Sequence, residues 1–386
     1  MTDNTPSHVA VVIGRWQFPH HGHLTLINKA FSVAPRVIIV IGSAYHSRDP
    51  RNPFTWEERQ EMLLAALSIE QRSRVAFVPV RDYYDDERWE NAVIDRVRQL
   101  TDHATKVTLV GHKKDQTSEY LDQFSGWEKC EVTPVIDICS TALREVYFND
   151  ADEIESAIAV IKPYAPAGVR HYLRGWTRLP YFKRMVEETL AVRAYKQKYS
   201  APYYLTADAA VRAGGKVLLV RRGGAVGHGL YALPGGHLNK NERFYQAAVR
   251  ELAEETGVKL LPEQMRFALK DAQDFDHPLR SPRGRLVTKV HYFDFKDREP
   301  FETKAGDDAD QTLWVAIEDL LELESQLFED HAVALDRFFH IFPAREPIPQ
   351  SAYVSWHTAE RESLCLRSES PDRQRYSLLY GTGFIV

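Results

Sequence analysis

Residues 235–258 read GGHLNKNERFYQAAVRELAEETGV, and Gly236, Glu242, Arg250, Glu251, Glu254, Glu255 and Gly257 fill the spacing G-x5-E-x7-R-E-x-x-E-E-x-G. The segment from Phe244 onward predicts a helix with Phe244, Ala247 and Ala248 on one side. At about 100° per residue Glu251 and Glu255 fall on that same side, with Glu254 at its flank. The stripe therefore starts apolar and ends as carboxylates. Carboxylates three and four apart repel one another, and partial burial raises their pKa unless a cation compensates. Hard oxygen ligands at this density suit Mg2+ or Mn2+, which leave further positions to water and phosphate. Arg250 stands next to the cluster and is placed to orient a carboxylate through a fork of hydrogen bonds. Gly235 and Gly236 follow Pro234, so a tight loop enters the helix and its backbone can approach a ligand closely. A solvated acidic face would explain an isolated E-x-x-E-E, but not seven positions at fixed spacing.

Outward from this helix, the chain of 386 residues is long enough for two domains with separate cores. With 49 basic against 54 acidic residues, nothing marks a polycation that binds nucleic acid. The first residues lack the regions of a signal peptide, and no apolar run is long enough to span a bilayer. Only Cys130, Cys139 and Cys365 occur, widely spaced, which fits a reduced cytoplasmic protein without a metal–thiolate site.

Upstream, β-branched runs at 8–13, 36–42, 75–80 and 106–111 alternate with helical patterns. That alternation predicts a doubly wound parallel α/β sheet, Rossmann-like in class. The expected units are a first domain at 1–175, a helical linker at 176–200, a second domain at 201–345 and a tail at 346–386 without an assigned role. A helix is expected over 180–200, ended by Ala201-Pro202, then a strand pair at 203–213 and 216–221 around Gly214-Gly215. The end of the tail, 378–386, reads as a strand.

The first strand runs into GRWQFPHHGHLTLINKAF, residues 14–31. Gly14 permits a sharp exit from the strand, and Pro19 fixes the approach to the next helix. His20 and His23 lie around Gly22 at the mouth of that helix, where free N–H groups favour phosphate, and Arg15 adds a permanent cation. Loops at the carboxyl ends of strands are where open α/β sheets bind ligands. A second such start is ICSTALR, residues 138–144, after a strand-like 132–136. Ser140 and Thr141 are expected to cap the helix, with Arg144 one turn on.

The box at 236–257 matches the Nudix box of nucleoside-diphosphate-X hydrolases, including apolar Leu252 and Val258. The resemblance implies a metal-dependent pyrophosphate hydrolase on an α/β/α sandwich with a mixed sheet. It assigns Gly236, Glu251, Glu254 and Glu255 to the metal, supported by Arg250. The pattern G-R-x-Q-x-x-H-x-G-H with the later S-T-x-x-R resembles the nucleotidylyltransferase superfamily. R-x-x-R-N-P-F-T at 48–55, Glu58-Arg59 and V-G-H-K-K-D at 110–115 are similar to archaeal-type nicotinamide-mononucleotide (NMN) adenylyltransferases. Together the two halves resemble the bifunctional adenylyltransferase/Nudix proteins over roughly residues 9–340. The chain departs from the usual Gln-Pro-Phe-His with Gln17-Phe18-Pro19-His20, and has Cys139 where Ser is usual.

Carried over, the resemblance makes His20 and His23 stabilise charge on ATP as NMN attacks its α-phosphate. It makes Arg144, Ser140 and Thr141 hold the outgoing pyrophosphate. Gly14, Arg15, Gln17, Arg48, Gly111 and Asp115 are further ATP or phosphate contacts, and Trp89 is the platform for the nicotinamide ring. The implied small-molecule partners are ATP, NMN and ADP-ribose, with Mg2+ or Mn2+ as cofactor. Neither nucleic acid nor membrane is expected, and a homo-oligomer is compatible with the chain. The hydrolytic base stays open between a box glutamate and Asp307, Asp308 or Asp310. Two alternatives also stay open: a second domain that senses ADP-ribose or NAD without hydrolysing it, and a different nucleoside-diphosphate substrate. In the first domain, nicotinate mononucleotide or phosphopantetheine remain as substrates.

Overall fold

The computed structural model describes residues 7–112, 123–133, 139–306 and 308–356. The first unit comprises β1 (His8–Gly14), α1 (His21–Val33), β2 (Arg36–Ile41), α2 (Trp56–Ala66), α3 (Ile69–Arg72) and β3 (Val75–Pro79). It continues with α4 (Asp86–Arg98), β4 (Lys106–Gly111), β5 (Glu128–Glu131) and α5 (Ser140–Tyr147). Its five strands are all parallel, in the order β3-β2-β1-β4-β5. The expected four strands are present. The strand expected at 132–136 is not seen at 132–133; the strand at this place is β5, four to five residues earlier, and 134–138 lie outside the described residues.

Alternation sets the two faces of this sheet. Val9, Val11, Ile38, Val40, Ala76 and Val78 point to one side, where Val93 and Val97 of α4 cover them. Ala10, Val12, Val37, Ile39 and Phe77 point to the other, against Ile27 and Ala30 of α1 and Leu63 of α2. Buried on both faces, the strands read as continuous apolar runs.

Three helices follow: α6 (Ile154–Ile161), α7 (Ala167–Trp176) and α8 (Pro180–Lys198). Phe182 and Met185 of α8 join Phe54, Tyr147, Phe148 and Trp176 in an aromatic cluster of the first unit. Val192, further along, packs with Val220, Val226 and Ala232 of the second unit. One helix thus belongs to two cores.

The second unit contains β6 (Tyr204–Ala213), β7 (Lys216–Arg222), β8 (Tyr231–Ala232), β9 (Gly235–His237), α9 (Phe244–Thr256) and α10 (Pro262–Ala268). After these come β10 (Leu269–Phe275), β11 (Leu286–Asp294), β12 (Ala309–Ala316), a 3-10 helix (Ile317–Gln326) and α11 (His331–Phe339). The main sheet order is β10-β11-β6-β7-β12, with β8 on β7 and β9 on β6. Only β11 and β6 pair in parallel, so the sheet is mixed. Ala247, Ala248 and Leu252 of α9 pack on Ala207, Ala209, Val211 and Leu218. Gly257 ends α9 at φ 67, a left-handed cap that glycine adopts without strain.

The segment after α11 returns to the first unit. Val354 forms an antiparallel bridge with Ala76 of β3, and Phe77 donates its N–H to the Tyr353 carbonyl at 2.9 Å. Trp356 is buried, with its indole N–H on the Leu100 carbonyl.

Candidate active sites

In the first unit, β1 delivers the chain to the start of α1. His20 is the N-cap, and its Nδ1 accepts the His23 N–H at 3.3 Å. A neutral His20 ring therefore carries its proton on Nε2. The two imidazoles stack, centroids 3.7 Å apart, and the His23 Nδ1 is buried without a hydrogen-bond partner. Burial lowers the His23 pKa well below its usual range, helped by His20 and Arg144. Such rings are poised to gain hydrogen bonds and charge when an anion arrives.

Arg144 is buried in α5 and spends its guanidinium on neutral groups. It donates to the carbonyls of Pro50 (3.1 Å) and Gln17 and to Thr141 Oγ1 (3.2 Å). Burial, and next the Arg15 charge, lower its pKa to about 10. The expected cap at Ser140 is not present: Cys139 is the N-cap and makes no side-chain cap bond, while Thr141 serves Arg144 instead.

Arg59, unassigned in the sequence beyond its motif, organises the loop. It donates to the carbonyls of Arg15 (2.6 Å), Gly42 (2.7 Å), Ser43 (3.1 Å) and Thr55 (3.1 Å). A guanidinium supplies such a fan of donors where an ammonium cannot. At Gly14 a Cβ would lie 3.0 Å from the Trp16 ring, so a side chain there would require the indole to shift by a few tenths of an ångström. Gln17 makes paired bonds to the Phe54 backbone, so it fastens the R-N-P-F-T loop to the histidine loop. Phe18 is fully buried against Phe54 and Tyr147, which accounts for the loop path at Phe18-Pro19.

Arg15, Thr141 and Arg144 line one cleft, together with Arg51, the second arginine of the R-x-x-R-N-P-F-T motif. Arg48 does not line it; a two-pronged pair with Glu58 (2.6 and 2.9 Å) holds its guanidinium over Tyr181. Gly111 ends β4, and Asp115 lies outside the described residues. Trp89 is half-buried on α4, edge-on to Phe124 at 5.9 Å.

In the second unit the box forms as expected. Glu251 and Glu255 are only 8% and 7% exposed, while Glu254 is exposed. Arg250 donates to both Glu242 oxygens (2.8 and 2.9 Å), to Glu251 (2.8 Å), to Glu254 (2.7 Å) and to the His237 carbonyl (3.0 Å). The loop lies against the carboxylates. Gly235 donates its N–H to Glu255 Oε2 at 3.0 Å, and a Cβ at Gly236 would fall 2.5 Å from Glu251 Oε1. A Cβ at Gly235 would fall 2.0 Å from Asp208 Oδ1.

Asp208 is the residue that sequence reasoning missed. It sits on β6 opposite Gly235, and its signal was a lone acid in an alanine-rich strand. Burial raises its pKa to about 7 and that of Glu255 to about 8, with Glu251 and Asp208 adding to the latter. Among the described residues no three His, Cys, Asp or Glu side chains already stand as a metal cage. The donor set nevertheless fits a hard divalent cation: oxygen ligands around a glycine loop with no room for a side chain, with the Glu255 and Asp208 carboxyls raised by burial. Of the open candidates for the base, Asp308 and Asp310 are exposed, Asp310 lies against Gly223, and Asp307 is outside the described residues.

Residues 11–146 match the cytidylyltransferase-like family and residues 202–338 the NUDIX domain family. The nicotinamide/nicotinic acid mononucleotide adenylyltransferase of Acinetobacter baylyi is 35% identical over 179 residues, covering 46% of this chain and 91% of that protein. The nicotinamide-nucleotide adenylyltransferase of Thermococcus kodakarensis is 38% identical over 87 residues, which is 22% of this chain and 46% of that protein. A crystal structure of a bifunctional NMN adenylyltransferase/ADP ribose pyrophosphatase from Francisella tularensis, complexed with AMP and a manganese ion, superposes with a TM-score of 0.78. It is 29% identical and covers 87% of this chain and 99% of that one.

Fold and sites thus define a two-domain enzyme, a Rossmann-like nucleotidyltransferase joined to a Nudix hydrolase. The chain belongs to the nicotinamide/nicotinic acid mononucleotide adenylyltransferase family, extended by its Nudix domain.

Proposed function

We propose that the first unit makes NAD and pyrophosphate from NMN and ATP, and that the second hydrolyses ADP-ribose to AMP and ribose 5-phosphate. The observation that carries this reading is the two-unit likeness, over 87% of the chain, to a protein named for both activities. In the first site, His20 and His23 donate hydrogen bonds to the phosphates as NMN attacks the α-phosphorus. Arg144 and Thr141 hold the departing pyrophosphate. Transfer of this kind is mostly positioning and charge stabilisation, and needs no covalent enzyme intermediate. Arg59 keeps the Arg15 loop in place, and Trp89 offers its indole face to the cationic nicotinamide ring. Gly14, Gln17, Gly111 and Ser140 shape the nucleotide site through backbone and packing.

In the second site, Glu251, Glu254, Glu255 and the Gly236 backbone would hold Mg2+ or Mn2+, which supplies charge at the diphosphate and acidifies water. Arg250 orients Glu251 and Glu254, and Asp208 adds a further buried carboxylate behind the loop. NAD formation from NMN, ATP and Mg2+ tests the first activity, and no product beside a competent control ends it. Release of AMP from ADP-ribose tests the second. A faster rate on another nucleoside diphosphate would replace ADP-ribose as the substrate, and binding without turnover would favour a sensor.

A further inference from the structure

Helix α8 is built into the first core through Phe182 and Met185, yet it grips the second unit at several points. Arg184 donates to the His228 carbonyl at 2.9 Å, and buried Glu188 accepts the Gly227 N–H at 2.8 Å. Val192 packs with Val220 and Val226. Tyr195 then reaches the glycine loop: its hydroxyl and His237 Nε2 form a hydrogen bond of 2.7 Å. Tyr199, one turn on, lies flat against the same imidazole, with centroids 5.4 Å apart and planes at 10°. Tyr204 of β6 stands edge-on to it at 6.0 Å.

His237 is the only residue of β9 with a side chain, because the strand is Gly235, Gly236 and His237. Two glycines let the backbone come close to the carboxylates, and they also leave it the widest conformational freedom when nothing holds it. Pairing with β6 covers just these three residues. The His237 ring is thus the one side-chain handle on the strand, and α8 holds it. The His237 carbonyl accepts from the Arg250 guanidinium at 3.0 Å, so the same residue joins the helix to the box. A shift of β9 would take the Gly235 N–H off Glu255 and move the Gly236 backbone, which lies too near Glu251 for a Cβ. Outer hydrogen bonds of this kind orient the groups that ligate a metal.

We infer that Tyr195 is a positioning residue of the hydrolase. Its hydroxyl fixes His237, and through it the glycine strand that presents Gly236 and the glutamates to the divalent cation. The inference rests on the Nudix reading of the second unit and deepens it. It also carries the working boundary of the hydrolase upstream of residue 201, onto a helix whose first turns belong to the transferase core.

Full-length Tyr195→Phe keeps the ring and removes the hydroxyl. Mn2+ affinity, read by calorimetric titration without nucleotide, should weaken roughly ten-fold, and the Mn2+ concentration for half-maximal ADP-ribose hydrolysis should rise with it. The KM for ADP-ribose at saturating Mn2+ stays unchanged. So does the rate of NAD synthesis, which reports that α8 is folded. His237→Phe should weaken Mn2+ binding to the same degree and the double variant no further, because both remove one hydrogen bond. His237→Gln, whose side-chain amide reaches the place of Nε2, recovers most of the loss. Unchanged Mn2+ affinity in Tyr195→Phe, or additive losses in the double variant, overturns the assignment, as does wild type that takes up no Mn2+. Wild type that binds Mn2+ more tightly than Tyr195→Phe but leaves ADP-ribose intact loses that substrate and keeps the positioning role.

Discussion

Glu255 and Arg250 show how single side chains prepare the proposed hydrolytic site. Glu255 sits against the Gly235 N–H with its carboxyl pushed up to about 8 by burial, an environment that favours neutralisation by a proton or binding of a cation. Glu255→Gln keeps the shape and removes the charge. Hydrolysis should fall by roughly 100-fold or more while NAD synthesis is spared, measured on the same preparation. Parallel loss of both activities would contradict two independent sites. Arg250 contacts three glutamates and a carbonyl, and its hydrogen bonds to Glu242 lead the rise in its own pKa. Arg250→Lys cannot reproduce that fan, so Mn2+ affinity should weaken roughly 10- to 100-fold, read by manganese titration. An unchanged affinity would show that the carboxylates orient themselves. The glutamates and Arg250 were legible in the sequence because they share one helix at helical spacing. Asp208 was not, since a strand some forty residues upstream reaches the box only through the pairing of β6 with β9.

At the scale of elements, the start of α11 supports the box from behind. His331 Nδ1 accepts the Leu233 N–H at 2.9 Å, two residues before Gly235, and burial holds the His331 pKa down to about 4. The folded protein keeps this ring neutral, whereas the unfolded chain takes up a proton near pH 6.5. The neutral ring's contribution is therefore complete above about pH 6.5 and is lost as pH falls towards 4. At about 1.4 kcal/mol per pKa unit, the loss amounts to roughly 3 kcal/mol. Urea unfolding at several pH values should show the stability margin of wild type over His331→Gln shrinking across this window; a constant margin would refute the linkage. The helix over 180–200 was also legible from its pattern, and α8 ends within two residues of that expectation. Its division between two cores was not, because Val192 and Phe182 look alike as apolar residues until their neighbours are known.

For the whole molecule, the segment past α11 and the charges beneath it join the two units. Arg81 pairs with Glu324 at 2.6 Å and also with Glu346, which in turn meets Arg96; Arg88 pairs with Asp336. Most of these side chains are buried, so removing one partner leaves an uncompensated charge inside the protein. Val354 and Trp356 then cover the edge and flank of the first sheet, where an open strand would invite association. Trp356→Ala should destabilise the first unit by about 3–5 kcal/mol. In a thermal inactivation series NAD synthesis should then fail at lower temperature than ADP-ribose hydrolysis. Coincident loss would mean that the units unfold as one.

By itself the sequence determined the fold class, the order of the two units and the composition of the Nudix carboxylate helix. Each of these rests on local periodicity or on spacing within one loop–helix segment. Tertiary structure decided what depends on segments distant in the chain. It set Asp208 behind the glycine loop, made Cys139 rather than Ser140 the cap, and committed Arg48 to Glu58 while Arg51 lines the cleft beside Arg144. It also gave residues 343–356 a place against the first sheet. Spacing along one helix or strand fixes which side chains share a face. Which charge a face meets depends on how the separate segments close around it.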